Sequence, residues 1–224
     1  MNAEISQGGR GPSRLRNVLI AVVVLCLVAL GAVYYALFSW SSGYFAAGRG
    51  RTPEGYPWIG AEEPELTIHE YVDYECPHCP AAHQWLRRAL VLHQGDVRLV
   101  RHDFARMRCA AGIKGRKPHS CALARGGICA ADQGKFWRWN DQVMSNPRPL
   151  TGPARDSYLD ETARAIGLDL AAFDACLTAP KTIERAMAIY TEAREQGITD
   201  TPAYVVDGKK LDTVELSDLL DERL

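Results

Sequence analysis

Two cysteines three positions apart, Cys76 and Cys79 in "CPHC", stand between an apolar run, "ELTIHEYVDY", and a stretch with helical spacing. Three chemistries fit such a pair: a metal site, a passive bridge, or thiol–disulfide exchange. A zinc site draws about four ligands, as a rule from two paired motifs. There is no second CxxC, the other cysteines stand alone, and His78, His83, His102 and His119 are scattered, so no metal site is expected. A bridge across Pro77 and His78 closes a very small ring and removes little entropy from the unfolded chain.

Exchange accounts for more of the residues. The motif predicts Cys76 at the start of a helix with Pro77 in the first helical position. Unsatisfied N–H groups and the positive end of the helix dipole favour a thiolate there. His78, protonated or donating, adds to this. Cys79, one turn in, is shielded and suits the part of resolving thiol. A stabilised Cys76 thiolate stabilises the dithiol, which makes the disulfide the stronger oxidant.

The elements that must hold this pair can be read around it. Leu66, Ile68, Glu70 and Val72 share one face of "ELTIHEYVDY", and Tyr71 and Tyr74 help fill the other positions. Apolar groups on both faces predict a central strand of a sheet covered on both sides. Ala82, Trp85, Leu86, Ala89 and Leu90 then recur at helical spacing, with Arg87 and Arg88 pointing away. A second strand is predicted over 97–104, and a basic, Gly-rich loop over 106–120. Helical patterns fill 121 to about 196. One runs through "CAADQGKFWRWNDQVM"; another, Asp156 to Ile166, stops at Gly167; a third carries Leu170, Phe173 and Leu177; the last ends at Gly197. "TPAYVVDGKKLDT" predicts two short strands around Asp207-Gly208, and Asp212 with Glu215 has capping-box spacing ahead of a closing helix. The result is an α/β core over 61–224 with a helical insertion at about 106–196.

Ahead of this core, residues 18–38 read "VLIAVVVLCLVALGAVYYALF" without a charge, long enough to span a bilayer as a helix. Arg10, Arg14 and Arg16 precede it, which keeps residues 1–17 in the cytoplasm and sends the rest across. A cleaved signal peptide is the competing reading, though its apolar core is usually shorter. Residues 39–60 are rich in Gly, Ser and Pro and read as a tether. Cys26 lies in the apolar run; the other six cysteines lie beyond it, an even number in a compartment that permits disulfides. A formal charge of −1 over 224 residues leaves no electrostatic footprint for nucleic acid.

"CPHC" after an apolar strand, "QGKFW" in the helical block and "TP" before "AYVVDGK" resemble the DsbA-type thiol oxidoreductases of the thioredoxin superfamily. The resemblance covers about residues 60–224 and implies a thioredoxin fold with a helical insertion, preceded by one transmembrane helix. It implies a cis Thr201-Pro202 bond beside Cys76 and Cys79, with the Thr201 backbone pairing to an extended client segment. It also implies a buried acid at Glu70. The strand pattern places this carboxyl beneath the motif, where an unpaired carboxylate tends to hold a proton, and Glu70 is read as proton acceptor and donor for Cys79. An edge glutamate reaching solvent is the plainer alternative.

The activity so implied is donation of the Cys76–Cys79 disulfide to exported client proteins with free cysteines, through a mixed disulfide at Cys76. The setting is the periplasmic side of a bacterial inner membrane, and the protein is expected to be a monomer. Nothing in the sequence offers a flavin or quinone site, so no cofactor is expected, and the resemblance supplies a DsbB-like or VKOR-like quinone-linked membrane protein as reoxidant. An isomerase or reductase using the same residues, or a client-binding module with an incidental disulfide, are the rival readings.

Cys109, Cys121, Cys129 and Cys176 allow three pairings. With 121–129 in one helix, those two sulfurs would lie about 12 Å apart along the axis, too far for a bridge. Pairing 109–121 with 129–176 is preferred over 109–129 with 121–176, and free buried thiols are the further alternative. Phe136 to Trp139, "FWRW", reads as core. Arg106, Arg108, Lys114, Arg116 and Lys117 form a basic surface loop that could favour acidic clients or lipid head groups.

Overall fold

The computed structural model describes residues 14–93, 95–105, 118–146 and 153–223. In chain order its elements are α1 (Arg14–Ala46), β1 (Gly48–Arg51), β2 (Pro57–Gly60), β3 (Leu66–Val72), α2 (Cys79–Leu92) and β4 (Val97–Asp103). Five helices follow: α3 (Pro118–Asp132), α4 (Phe136–Ser145), α5 (Pro153–Ala165), α6 (Leu170–Thr178) and α7 (Pro180–Glu195). The chain closes with β5 (Ala203–Val206), β6 (Lys209–Leu211) and α8 (Thr213–Arg223). It forms two compact units that divide between Ala46 and Ala47. The first holds α1, whose stretch Arg16–Tyr34 is long and apolar enough to cross a membrane by length and composition.

The second unit is built on a six-stranded sheet in the order β1-β2-β4-β3-β5-β6. The strand ahead of Cys76 is therefore internal, parallel to β4 and antiparallel to β5. Register decides what meets beneath the motif: Glu70 lies opposite Arg101 on one side and Tyr204 on the other, and Val72 lies opposite Asp103. Directly opposed residues share a face of the sheet. Asp207 and Gly208 both take positive φ, 50° and 77°, and turn β5 tightly into β6. At the head of α8 the capping box is complete, with Glu215 N–H donating to Asp212 Oδ1 and Asp212 N–H to Glu215 Oε2, each at 2.9 Å.

Helices α3 to α7 form the insertion. Its core joins the loop that carries the cysteine pair: Val72, Tyr74, Cys76 and Cys79 pack in one buried cluster with Trp139, Val143, Tyr158, Leu159 and Phe173. "FWRW" is core, and Trp139 Nε1 donates to the Leu123 carbonyl at 3.2 Å. Cys129 and Cys176 form a disulfide, with Cα atoms 5.8 Å apart, that ties α3 to α6. Cys121 is also disulfide-bonded; Cys109 and the basic residues 106–117 lie outside the described residues.

Three expectations need correction. The tether at 39–60 is instead the end of α1 followed by the β1–β2 ribbon, which hydrogen-bonds onto β4. Trp58 and Ile59 explain this, since a Gly- and Pro-rich composition conceals one apolar pair. Ile59 is fully buried, the Arg98 guanidinium lies 4.4 Å over the Trp58 ring, and Trp137 Nε1 donates to the Trp58 carbonyl at 3.0 Å. Second, the single helical pattern through 129–144 is two helices. Gly134 takes φ +70° between them, and the Lys135 N–H closes on the Ala130 carbonyl at 2.7 Å, a Schellman stop. Third, α2 starts at Cys79 with His78 as N-cap, so Pro77 lies before the helix and Pro80 occupies its first turn.

Candidate active site

Cys76 and Cys79 are free thiols, both buried. Cys76 sits in the turn before α2, its N–H bonded to the Asp73 carbonyl at 3.0 Å and its own carbonyl accepting from Cys79 N–H at 3.3 Å. This turn brings the backbone N–H groups of His78 and Cys79 to the Cys76 sulfur. Helix-start electrostatics are thus realised one turn later than the motif suggests, through N–H groups that the helix itself cannot use. The His78 side chain is exposed, as is Pro77; what His78 contributes to the sulfur is its backbone N–H.

Thr201-Pro202 is a cis peptide, and the Cys76 thiol donates to the Thr201 carbonyl at 3.1 Å. The buried Thr201 hydroxyl has no other partner among the described residues and faces the same sulfur. Burial pushes the Cys76 thiol up, but the Thr201 hydroxyl, Cys79 and the two N–H groups outweigh it and hold the thiol below its ordinary value. Cys79 goes the other way: burial, then the neighbouring Cys76, push it up against the pull of the Asp73 backbone and Arg101. One thiol of the pair ionises easily and the other resists. An ultraviolet thiolate titration of the dithiol protein is therefore expected to show one group ionising below the ordinary cysteine range, lost in Cys76→Ser and kept in Cys79→Ala.

Glu70 is fully buried, but it is not the unpaired carboxyl expected. Arg101 Nη1 donates to Glu70 Oε2 at 3.0 Å, and Arg101 Nε donates to Asp103 Oδ1 at 3.2 Å. The Tyr74 hydroxyl donates to Asp103 Oδ2 at 3.1 Å. Burial works against the Arg101 charge, yet the two carboxylates more than restore it. Arg101, Asp103 and Tyr74 were not singled out from the sequence. The signal was there: two ionisable residues at i and i+2 of "VRLVRHDF" share a strand face, and in an internal strand that face is buried. Near the motif, Asp73 Oδ1 accepts from the Ser120 hydroxyl at 2.6 Å and Glu75 Oε2 from the Ser120 N–H at 3.0 Å, fastening α3 to the cysteine loop. No cluster of metal-ligating side chains occurs among the described residues.

A family model described as thioredoxin matches residues 52–222, most of the second unit and the whole of this site. The chain belongs to the thioredoxin family. Among solved structures of the thioredoxin fold, a thioredoxin-like oxidoreductase from Silicibacter pomeroyi DSS-3 is similar over 76% of this chain and 92% of its own, at 26% identity and a TM-score of 0.59. MdbA from Corynebacterium diphtheriae, a thiol-disulfide oxidoreductase, covers 80% of this chain and 97% of its own at 14% identity and a TM-score of 0.61, which shows a shared fold. Among curated proteins, a Na(+)/H(+) antiporter NhaA from Herminiimonas arsenicoxydans is 35% identical over 158 residues. That match takes 68% of this chain but 22% of the antiporter, so the chain spans about a fifth of that relative's length. A match of 158 residues must fall largely within 52–222, so what the two share is mainly the thioredoxin region.

Proposed function

We propose that this thiol–disulfide oxidoreductase of the DsbA type hands its Cys76–Cys79 disulfide to exported client proteins. The observation that carries the reading is the opposed behaviour of the two sulfurs, Cys76 held low by converging donors and Cys79 held high by burial. A client thiolate attacks Cys76 Sγ; the bond to Cys79 breaks, and Cys79 leaves as a thiolate that takes up a proton. A second client thiolate then attacks the client sulfur of the mixed disulfide, and Cys76 leaves as its stabilised thiolate. Two electrons pass from the client to the pair, and the client gains one disulfide. The second step is downhill because Cys76 is the better leaving group.

Thr201 has two parts in this scheme. Its carbonyl accepts from the Cys76 S–H in the dithiol; in the mixed disulfide that hydrogen is gone and the carbonyl is open to a client N–H. Glu70, carried by β3 and charge-balanced by Arg101, is the acid that exchanges a proton with Cys79. The apolar α1 supports a single-pass anchor in a bacterial inner membrane with the catalytic domain on the extracytoplasmic side, and reoxidation falls to a DsbB-like or VKOR-like quinone-linked membrane protein.

The test is a trap. Cys79→Ala expressed from the full chain is expected to accumulate mixed disulfides with exported proteins, seen as dithiothreitol-sensitive bands on a non-reducing gel. They should vanish when Cys76 is also replaced. A Cys79→Ala protein without such adducts would make the pair an incidental bridge in a binding module.

A further inference from the structure

Asp103 has no role in the scheme above, yet it shares the guanidinium that balances Glu70. Arg101 reaches both carboxyl groups, Glu70 Oε2 at 3.0 Å and Asp103 Oδ1 at 3.2 Å, and all three side chains are buried. With both carboxyls ionised the cluster carries a net negative charge out of water, a costly state that one bound proton removes. Two of its polar atoms, Glu70 Oε1 and Arg101 Nη2, have no hydrogen-bond partner among the described residues. The cluster is therefore one proton and one or two hydrogen bonds short of saturation.

The second observation is a cleft of about 120 Å³. The buried Arg101 and Asp103 line it together with the half-buried Tyr56 and Arg185 and the exposed Glu54 and Glu192. The cleft is open to solvent and its lining is mixed, with Ile128, Phe136 and Ile189 beside the charged groups; water that enters meets polar partners at Arg101, Asp103 and Tyr56. Neither Glu70 nor the cysteine pair lines it, so among the two carboxyls Asp103 alone is at the cleft.

We propose that Asp103 is a positioning residue for the proton of Cys79: it shares one exchangeable proton with Glu70 across Arg101 and trades that proton with solvent through this cleft. The inference rests on the oxidoreductase reading and deepens it. When the Cys76–Cys79 bond breaks, the proton leaves the Glu70 end of the cluster for the Cys79 sulfur, and the cluster regains one from cleft water through Asp103. Arg101 stays charged throughout. Its coupling is electrostatic: a change of charge at the Glu70 end is felt by Asp103 through the guanidinium they share.

The surroundings of Asp103 are consistent with this. Its own strand contributes Arg101, β3 contributes Glu70, and the loop after β3 contributes Tyr74, itself pushed up by burial. From α3 come Gly127, where a Cβ would lie 2.7 Å from Asp103 Oδ2, the apolar Ile128 and Ala131, and Asp132 beside Arg185. Across the cleft, α7 brings Arg185, which is paired to Asp132 at 2.8 Å, and Glu192, bonded to the Tyr56 hydroxyl; the β1–β2 turn adds Glu54. Burial, opposed by Arg101 and Tyr74, pushes Asp103 up to about 6, so its proton is exchangeable near neutrality.

The experiment is the pH profile of disulfide reduction in the full chain in detergent micelles, with dithiothreitol as the probe and the rate corrected for dithiothreitol ionisation. The wild type is expected to show an inflection near pH 6, the rate falling by up to about tenfold per pH unit above it as the protonated cluster is depleted. Asp103→Asn should remove the inflection while leaving the Cys76 thiolate titration in place, a result that mere loosening of the fold would not give. Tyr74→Phe takes a donor from the carboxylate and should move the inflection to higher pH; it carries the test should Asp103→Asn fail to fold. Variant profiles that overlay the wild type overturn the proposal. Because dithiothreitol replaces the client, this outcome is separate from failure of the Cys79→Ala trap.

Discussion

Arg101→Met is expected to cost the domain about 3–5 kcal/mol, the price of leaving buried carboxylates without their counter-charge. Against a typical margin of roughly 5–15 kcal/mol for a folded domain, that takes much of the stability. The side chain is completely buried, donates to two carboxyl groups and lies 5.6 Å from the Tyr74 ring, so methionine fills the volume while removing only the charge and the donors. Urea unfolding of the full chain in micelles, followed by tryptophan fluorescence, measures it. The loss should shrink in acid. In the wild type Asp103 rises from its ordinary 3.8 to about 6 in the fold. Its contribution is thus fully present below 3.8 and is lost as pH rises through about 6. Without Arg101, which holds it down, Asp103 seeks its proton still more strongly, so the variant gains more on acidification than the wild type does. An Arg101→Met protein as stable as wild type at neutral pH would show that the cluster is solvated.

The second large effect lies in the insertion. Replacing Cys129 and Cys176 by alanine opens a loop of 47 residues; on the chain-entropy account this removes about 4 kcal/mol. The bond joins α3 to α6 in the cluster that contains Trp139, Phe173, Cys76 and Cys79, so its loss loosens the cover over the candidate site. Limited proteolysis should then cut within α5–α6 before it cuts the sheet, and urea midpoints should fall while the Cys76 titration of the folded fraction is unchanged. Unchanged midpoints would mean that packing alone holds α6.

Much of this architecture was legible because each signal was local. The apolar pattern ahead of Cys76, the helical spacing after it, the Asp207-Gly208 turn and the Asp212/Glu215 box each specify structure within a few residues. What escaped was non-local. The β1–β2 ribbon exists only because Trp58 and Ile59 find Arg98, Leu99 and Trp137 far along the chain. Cys76 acquires its partners both from a turn held by Asp73 and from Thr201, 125 residues away. Glu70 could be placed on the buried face, but its partner could not, since that needs the parallel register that sets it against Arg101.

The two outermost strands share a trait beyond their place in the order. Each is short and cationic: β1 reads Gly-Arg-Gly-Arg, and β6 begins Lys209-Lys210. Short, charged borders discourage a foreign chain from zipping onto the open hydrogen-bonding row of a sheet. For a protein whose proposed partners arrive partly unfolded, with exposed backbone of their own, such borders guard against sticking and amyloid-like stacking. On the proposed scheme they leave the Thr201 turn as the place where an incoming backbone is welcome.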